Sequence, residues 1–179
     1  MEIIQTQLTI EVNENVYERI KQIFAVAQEY NLTEVVKNNI VINSSDEKIY
    51  YTLNVSKAEF ENYPNFKMKL LESAYSNKEN LSITKLKSYS YHAFHSINPS
   101  KEFIRFDFEP FKQKYAPIHI NANKQRWGDH LVYPDDTNLD ISKMSCPIAL
   151  KIFKRYAKDK DDFPTNQETN EEYVKIIEM

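Results

Sequence analysis

One glycine, Gly128, stands in 179 residues, where average usage of about 7 % would supply roughly a dozen. That scarcity removes whole classes of chemistry. A Walker A loop, a dinucleotide-binding turn and a nucleophile elbow all need glycines at fixed spacing, because only glycine lets the backbone turn tightly against phosphate or substrate. A nucleotide cofactor bound by these routes is excluded, as is an α/β-hydrolase. No cofactor is expected.

The chain is long enough to build one core without covalent staples. Cys146 is the only cysteine, so neither an internal disulfide nor a multi-cysteine zinc site is available, and a reducing cytoplasmic location is expected. The first residues, Met-Glu-Ile-Ile-Gln, lack a basic and apolar leader. No apolar run approaches the ~20 residues of a membrane span, so no membrane partner is expected.

Charge is uneven along the chain. Residues 81–133 hold eight basic side chains against four acidic ones, and all four histidines, His92, His95, His119 and His130. Both flanks are net acidic. A field of this shape draws an anionic ligand to the middle of the chain.

Apolar periodicity organises the rest. Val16, Ile20, Ile23, Phe24 and Ala27 recur at helical spacing over 15–30. Residues 35–55 read as a hairpin turning at Asn43-Ser-Ser-Asp46. Ser56 reads as the cap of a helix over 57–75, kinked at Pro64. The strongest β signal lies at 82–121, broken by a turn at Asn98-Pro-Ser-Lys101. Residues 122–146 are a long irregular connection, and Pro147 opens a helix over 147–158. These elements predict an α+β single domain over 1–160, a mainly antiparallel sheet with helices packed on one face. A polar, partly flexible tail over 161–179 follows.

Alternation then sorts the polar residues. Ile104, Phe106 and Phe108 take the core face of one strand, which leaves Arg105, Asp107 and Glu109 on the other. Ile118 and Ile120 likewise leave His119 on that face. If Pro99 and Ser100 centre the turn, Asp107 lies opposite His92 and Arg105 opposite Phe94, while His95 points to the core side. His92, Arg105, Asp107 and His119 are therefore the candidate catalytic residues. Two imidazoles and a guanidinium around a phosphate suit metal-independent phosphodiester cleavage, with Asp107 orienting one ring. The same residues could ligate a metal through His92, Asp107 and His119, but the neighbouring Arg105 opposes a cation, and no metal is assigned. They also fit a solvated sheet face joined by cross-strand ion pairs. Lys87, Trp127 and His130 are candidate substrate contacts. Trp127-Gly128-Asp129-His130 could close over the polar face and stack on a base, or Trp127 could plug the edge of the core. Asp135-Asp136 reads as turn or cap chemistry, and Cys146 as an inert buried thiol.

The runs Tyr89-Ser-Tyr-His92, Ile104-Arg-Phe-Asp107 and Pro117-Ile-His119 resemble the TumE-like toxins of bacterial toxin–antitoxin loci. The resemblance covers about residues 89–121 and departs from the family in length and in carrying one histidine on the third strand, where the family carries several. It implies action on RNA or translation and an antitoxin or other protein partner. Two functions stand at this point. One is a small RNA-targeting toxin or nuclease. The other is a non-enzymatic protein-binding module of a prokaryotic defence or toxin–antitoxin complex.

Overall fold

The computed structural model describes residues 8–110, 115–128, 130–133, 139–163 and 170–179. Among the described residues eight strands form one sheet: β1 (Ile10–Val12), β2 (Ile40–Ser44), β3 (Lys48–Phe60), β4 (Tyr63–Asn77), β5 (Asn80–His95), β6 (Phe103–Phe108), β7 (Ile118–Ala122) and β8 (Leu131–Val132). Every pairing is antiparallel, in the order β2-β3-β4-β5-β6-β7-β8, and β1 pairs with the far end of β5. Helices α1 (Val16–Glu29), α2 (Thr33–Lys37), α3 (Lys124–Trp127), α4 (Cys146–Lys158) and α5 (Asn170–Glu178) complete the fold. The α+β class read from the sequence holds.

Helix boundaries follow local chemistry. The Asn15 side chain accepts a hydrogen bond from the Tyr17 amide (2.8 Å) and opens α1. At its other end Asn31 turns left-handed (φ 60°), and the Leu32 amide reaches back to the Ala27 carbonyl (2.7 Å). Ser145 caps α4 through the Ile148 amide, with Pro147 in the first turn. Val35 and Val36, read as strand, lie in α2, where Val36 is buried.

The helix expected over 57–75 is absent. That stretch is strand: β3 runs on to Phe60, turns at Glu61–Asn62, and returns as β4. The reason is visible in Phe66-Lys-Met-Lys-Leu70, where Phe66, Met68 and Leu70 are buried while Lys69 is exposed. A two-residue period buries one whole face of a strand and would scatter around a helix. Ser56 and Lys57 form a bulge opposite Lys69, so the supposed cap residue marks a break in register.

Apolar positions of β3–β7 meet α1 and α4 in one core, with Phe106 stacked on Phe153 (6.1 Å). Full burial of each such side chain contributes roughly 1.5–3 kcal/mol. Within 161–179, read from sequence as a polar tail, Phe163 is buried and α5 docks on α4 through Tyr173 and Ile177.

A charged cluster lies between the helices and the sheet. Glu72 of β4 and Arg19 of α1 are both buried and lie 2.5 Å apart through Oε1 and Nε. Tyr51 and Tyr91 each donate a hydroxyl hydrogen bond to Glu72, and Arg19 Nε also reaches Tyr51 (3.0 Å). Burial pushes the Glu72 carboxyl up, but the Arg19 charge and the three hydrogen bonds outweigh it, so its pKa lies below the usual range. Arg19→Met leaves this carboxylate unpaired and is expected to cost about 3–5 kcal/mol in urea denaturation at pH 7. Because the folded pKa is lowered, the unfolded chain binds the proton first as pH falls. The stabilisation is therefore whole above the ordinary glutamate range and is lost as pH drops through the folded value.

Candidate functional site

The sheet has a second face, turned away from the helices, and its cross-strand rows can be followed from the register. One row runs Asn54, Leu71, Ser90, Asp107, His119. The next runs Lys69, His92, Arg105, Asn121, and the one beyond it Lys67, Phe94, Phe103. Asp107 thus lies opposite Ser90, and His92 opposite Arg105. The expected pairings of Asp107 with His92 and of Arg105 with Phe94 are displaced by two residues. The turn is centred on Asn98–Pro99, where the Lys101 and Glu102 amides both reach the Asn98 carbonyl. A slip of two preserves the face of every side chain, so the polar set still converges.

Asp107 is the hub. Its Oδ1 accepts from Ser90 Oγ (2.7 Å), and its Oδ2 accepts from Arg105 Nε (2.7 Å) and Asn121 Nδ2 (2.6 Å). His119 Nε2 stands 3.5 Å from Oδ2, while its Nδ1 is 2.8 Å from the Ala116 carbonyl. Asp107 and His119 are each only 1 % exposed. This corrects the expectation of an open catalytic face carrying both histidines. Residues outside the strands cover this end: Tyr115, from the β6–β7 link, lies against His119 and stacks on His130 (3.9 Å between ring centres). β7 is consequently buried on both faces. A ring held between a carbonyl and a carboxylate, away from solvent, is placed to fasten strands.

His92 stands apart. It sits between Phe94 (4.9 Å) and Phe103 (5.8 Å), with Lys69 and Arg105 beside it in its own row. Burial first, then the Arg105 and Lys69 charges, lower its pKa to about 4, against a smaller opposite pull from Asp107. At neutral pH this is an uncharged ring flanked by two cations.

The other expected contacts separate. Lys87 is the extra residue of a β5 bulge and lines an outer-face cavity of about 190 Å³ with Lys48, Tyr50, Ser73 and Tyr75. Trp127 goes to the helix side, stacked on Phe163 (4.6 Å), the alternative in which it plugs the core edge. Gly128 and His130 both adopt positive φ (85° and 49°), which re-aims the chain so that His130 returns to the Asp107 end. His95 points to the helix side as expected, edge-on to Phe66 (5.2 Å). Asp129, Asp135 and Asp136 lie outside the described residues.

Asp107, Glu109 and His119 bring one donor atom each within 4.8 Å of one another. This differs from the metal set considered from sequence, in that Glu109 replaces His92. A cation there would have to displace Arg105 and Asn121 from Asp107. Sequence reasoning missed Lys69, because β4 was read as helix, although its alternation with Phe66, Met68 and Leu70 carried the signal.

Comparison with protein-family models, curated proteins and solved structures finds no match.

The His92 environment has a measurable consequence. Between pH 6.5 and about 4 the unfolded chain binds a proton that the folded chain refuses. Wild-type stability relative to His92→Phe is expected to fall as pH drops through that window and to be constant above it. Parallel urea titrations check this, and an NMR titration should give a midpoint near 4 for the ring of His92.

Proposed function

We propose that this chain binds single-stranded RNA on the face of the sheet turned away from the helices. The observation that carries the reading is the juxtaposition of cations and rings in row after row of that face. Lys48 lies over Tyr75 (4.7 Å to the ring centre), Lys69 over Phe94 (5.6 Å), and Arg105 is paired across the strands with His92. Tyr50 and Leu71 are well exposed between them. Among the described residues, Lys48, Lys69 and Lys87 make no ion pair, so their charge is available to phosphate. Bases stack on exposed rings, and Lys or Arg takes the backbone, which is how open sheets hold single strands. The basic middle segment and the resemblance to TumE-like toxins support the same target.

Lys69 and Arg105 are the phosphate contacts of this reading, and Phe94, Phe103, Tyr50 and Tyr75 the stacking platform. Cleavage is the second reading, favoured by one feature: His92 stands across the strands from the Arg105 cation and is unprotonated at neutral pH, although with its pKa lowered to about 4 it is a weak base there. Its partner in a two-imidazole mechanism would be His119, whose ring is buried and held at both ends.

Fluorescence anisotropy with a labelled single-stranded RNA tests binding. Lys69→Glu is expected to weaken affinity at least about tenfold for every sequence and to reduce the salt slope by about 1. Phe94→Ala is expected to weaken it between about fivefold and a hundredfold with the salt slope unchanged. Absence of binding at low salt, or indifference to both substitutions, overturns the proposal. Gel analysis of the same RNA separates the second reading, which requires shortening that disappears in His92→Ala.

A further inference from the structure

β2 is one edge of the sheet, and its outer side has no strand partner among the described residues. Natural edges are usually guarded by charge, proline or a bulge. This one, Ile40-Val-Ile-Asn-Ser44, has none of these, and no charged residue stands between 38 and 45. Val41 is 57 % exposed and Ile42 47 % exposed. Two backbone hydrogen bonds set the phase of the ladder: the Asn54 amide to the Asn39 carbonyl (2.9 Å) and the Ser45 amide to the Lys48 carbonyl (2.8 Å). In an antiparallel ladder bonded pairs alternate with non-bonded ones. Asn39, Val41, Asn43 and Ser45 therefore turn their amides and carbonyls toward β3. Ile40, Ile42 and Ser44 turn theirs outward.

We propose that β2 is a self-association edge, on which a second copy of this chain adds its own β2 antiparallel about a two-fold axis through Ile42. In that register Ile42 exchanges both backbone hydrogen bonds with its counterpart, and Ile40 does so with Ser44 of the other copy. Ile42 lies on the helix side, as its pairing with the buried Tyr51 shows, so the two Ile42 side chains meet beneath the joined sheet. Val41 lies beside Asn43 of the other copy on the outer face.

The flanking charges favour one direction. Lys37, which ends α2 and lies 3.6 Å from Glu34, precedes β2, and Asp46-Glu47, then Lys48, follow it. Antiparallel pairing of two copies brings the basic end of each strand to the acidic end of the other. Parallel pairing would set Lys37 against Lys37 and Asp46 against Asp46, which is repulsive. A joined sheet of this kind also leaves both outer faces pointing the same way.

The contact is short and falls at the low end of interface sizes, so a micromolar dimer is expected. Sedimentation velocity on the full chain from about 5 to 500 µM spans that range. Wild type is expected to pass from monomer to dimer. Ile42→Lys and Ile42→Glu, each placing like charges across the axis, are each expected to weaken the dimer more than about tenfold. Both should keep the wild-type circular dichroism spectrum, because the side chain is half exposed. An equimolar mixture of the two variants is expected to recover a heterodimer, since position 42 faces itself, and a folding defect has no route to that rescue. A wild type that stays monomeric throughout overturns the proposal. So does a dimer that persists in either single variant, or a mixture that fails to recover it.

Discussion

A carboxylate in the middle of an apolar core must be met by donors from several directions, and Glu72 sets that condition for the whole molecule. Its partners come from three separate elements: Arg19 from α1, Tyr51 from β3 and Tyr91 from β5. Arg19 also reaches Glu14 (2.8 Å), whose carbonyl accepts from Thr84 of β5 (2.8 Å). The segment between β1 and α1 is thereby tied to the same strands. Burying an unpaired charge is costly enough that these elements have little freedom to dock elsewhere. Apolar burial supplies most of the driving force, while the charged cluster selects which helix crosses which strands.

The second buried carboxylate, Asp107, does comparable work on the opposite face and at the other end of the sheet. It joins β5, β6 and β7 through Ser90, Arg105 and Asn121. Covered by Tyr115 and His130, this end is closed, whereas the β2–β5 end keeps its outer face in solvent, with Thr52, Lys69 and Leu71 all exposed. The sheet is thus divided between a fastened half and an accessible half. Row 69–92–105 lies at the boundary, which is why His92 is desolvated enough to lose its charge yet stands beside two cations.

Legibility followed period. Strands β6 and β7 and residues 88–95 of β5 alternate cleanly, and their face assignments survived a two-residue error in register because side-chain direction repeats every two residues, whereas the Lys87 bulge reverses the faces of the earlier part of β5. The grouping of Arg105, Asp107 and His119 was therefore visible in the sequence. β4 alternates as well, but Ser56-Lys57 imitates a helix cap, and the Leu70-Leu71 pair breaks the pattern that Phe66 to Leu70 begins. That misreading hid Glu72 inside a supposed helix and removed Lys69 from the candidate surface. Trp127 was ambiguous for a different reason: a large ring beside a left-handed glycine can be aimed to either side, and its stacking partner Phe163 is far away in the sequence.

The sequence by itself determined what depends on neighbours along the chain: the α+β class, the helix opened at Pro147, the exclusion of glycine-built nucleotide sites, and the face on which each residue of 88–95, β6 and β7 lies. Tertiary structure alone decided burial and partnership. Exposure of His119 depends on whether Tyr115 and His130 fold back over it, and the charge of His92 depends first on its burial, then on Arg105 across the strands and Lys69, twenty-three residues earlier in the chain. Alternation says which way a side chain points; whether water, a cation or another strand waits there is settled by segments that meet only when the chain is folded.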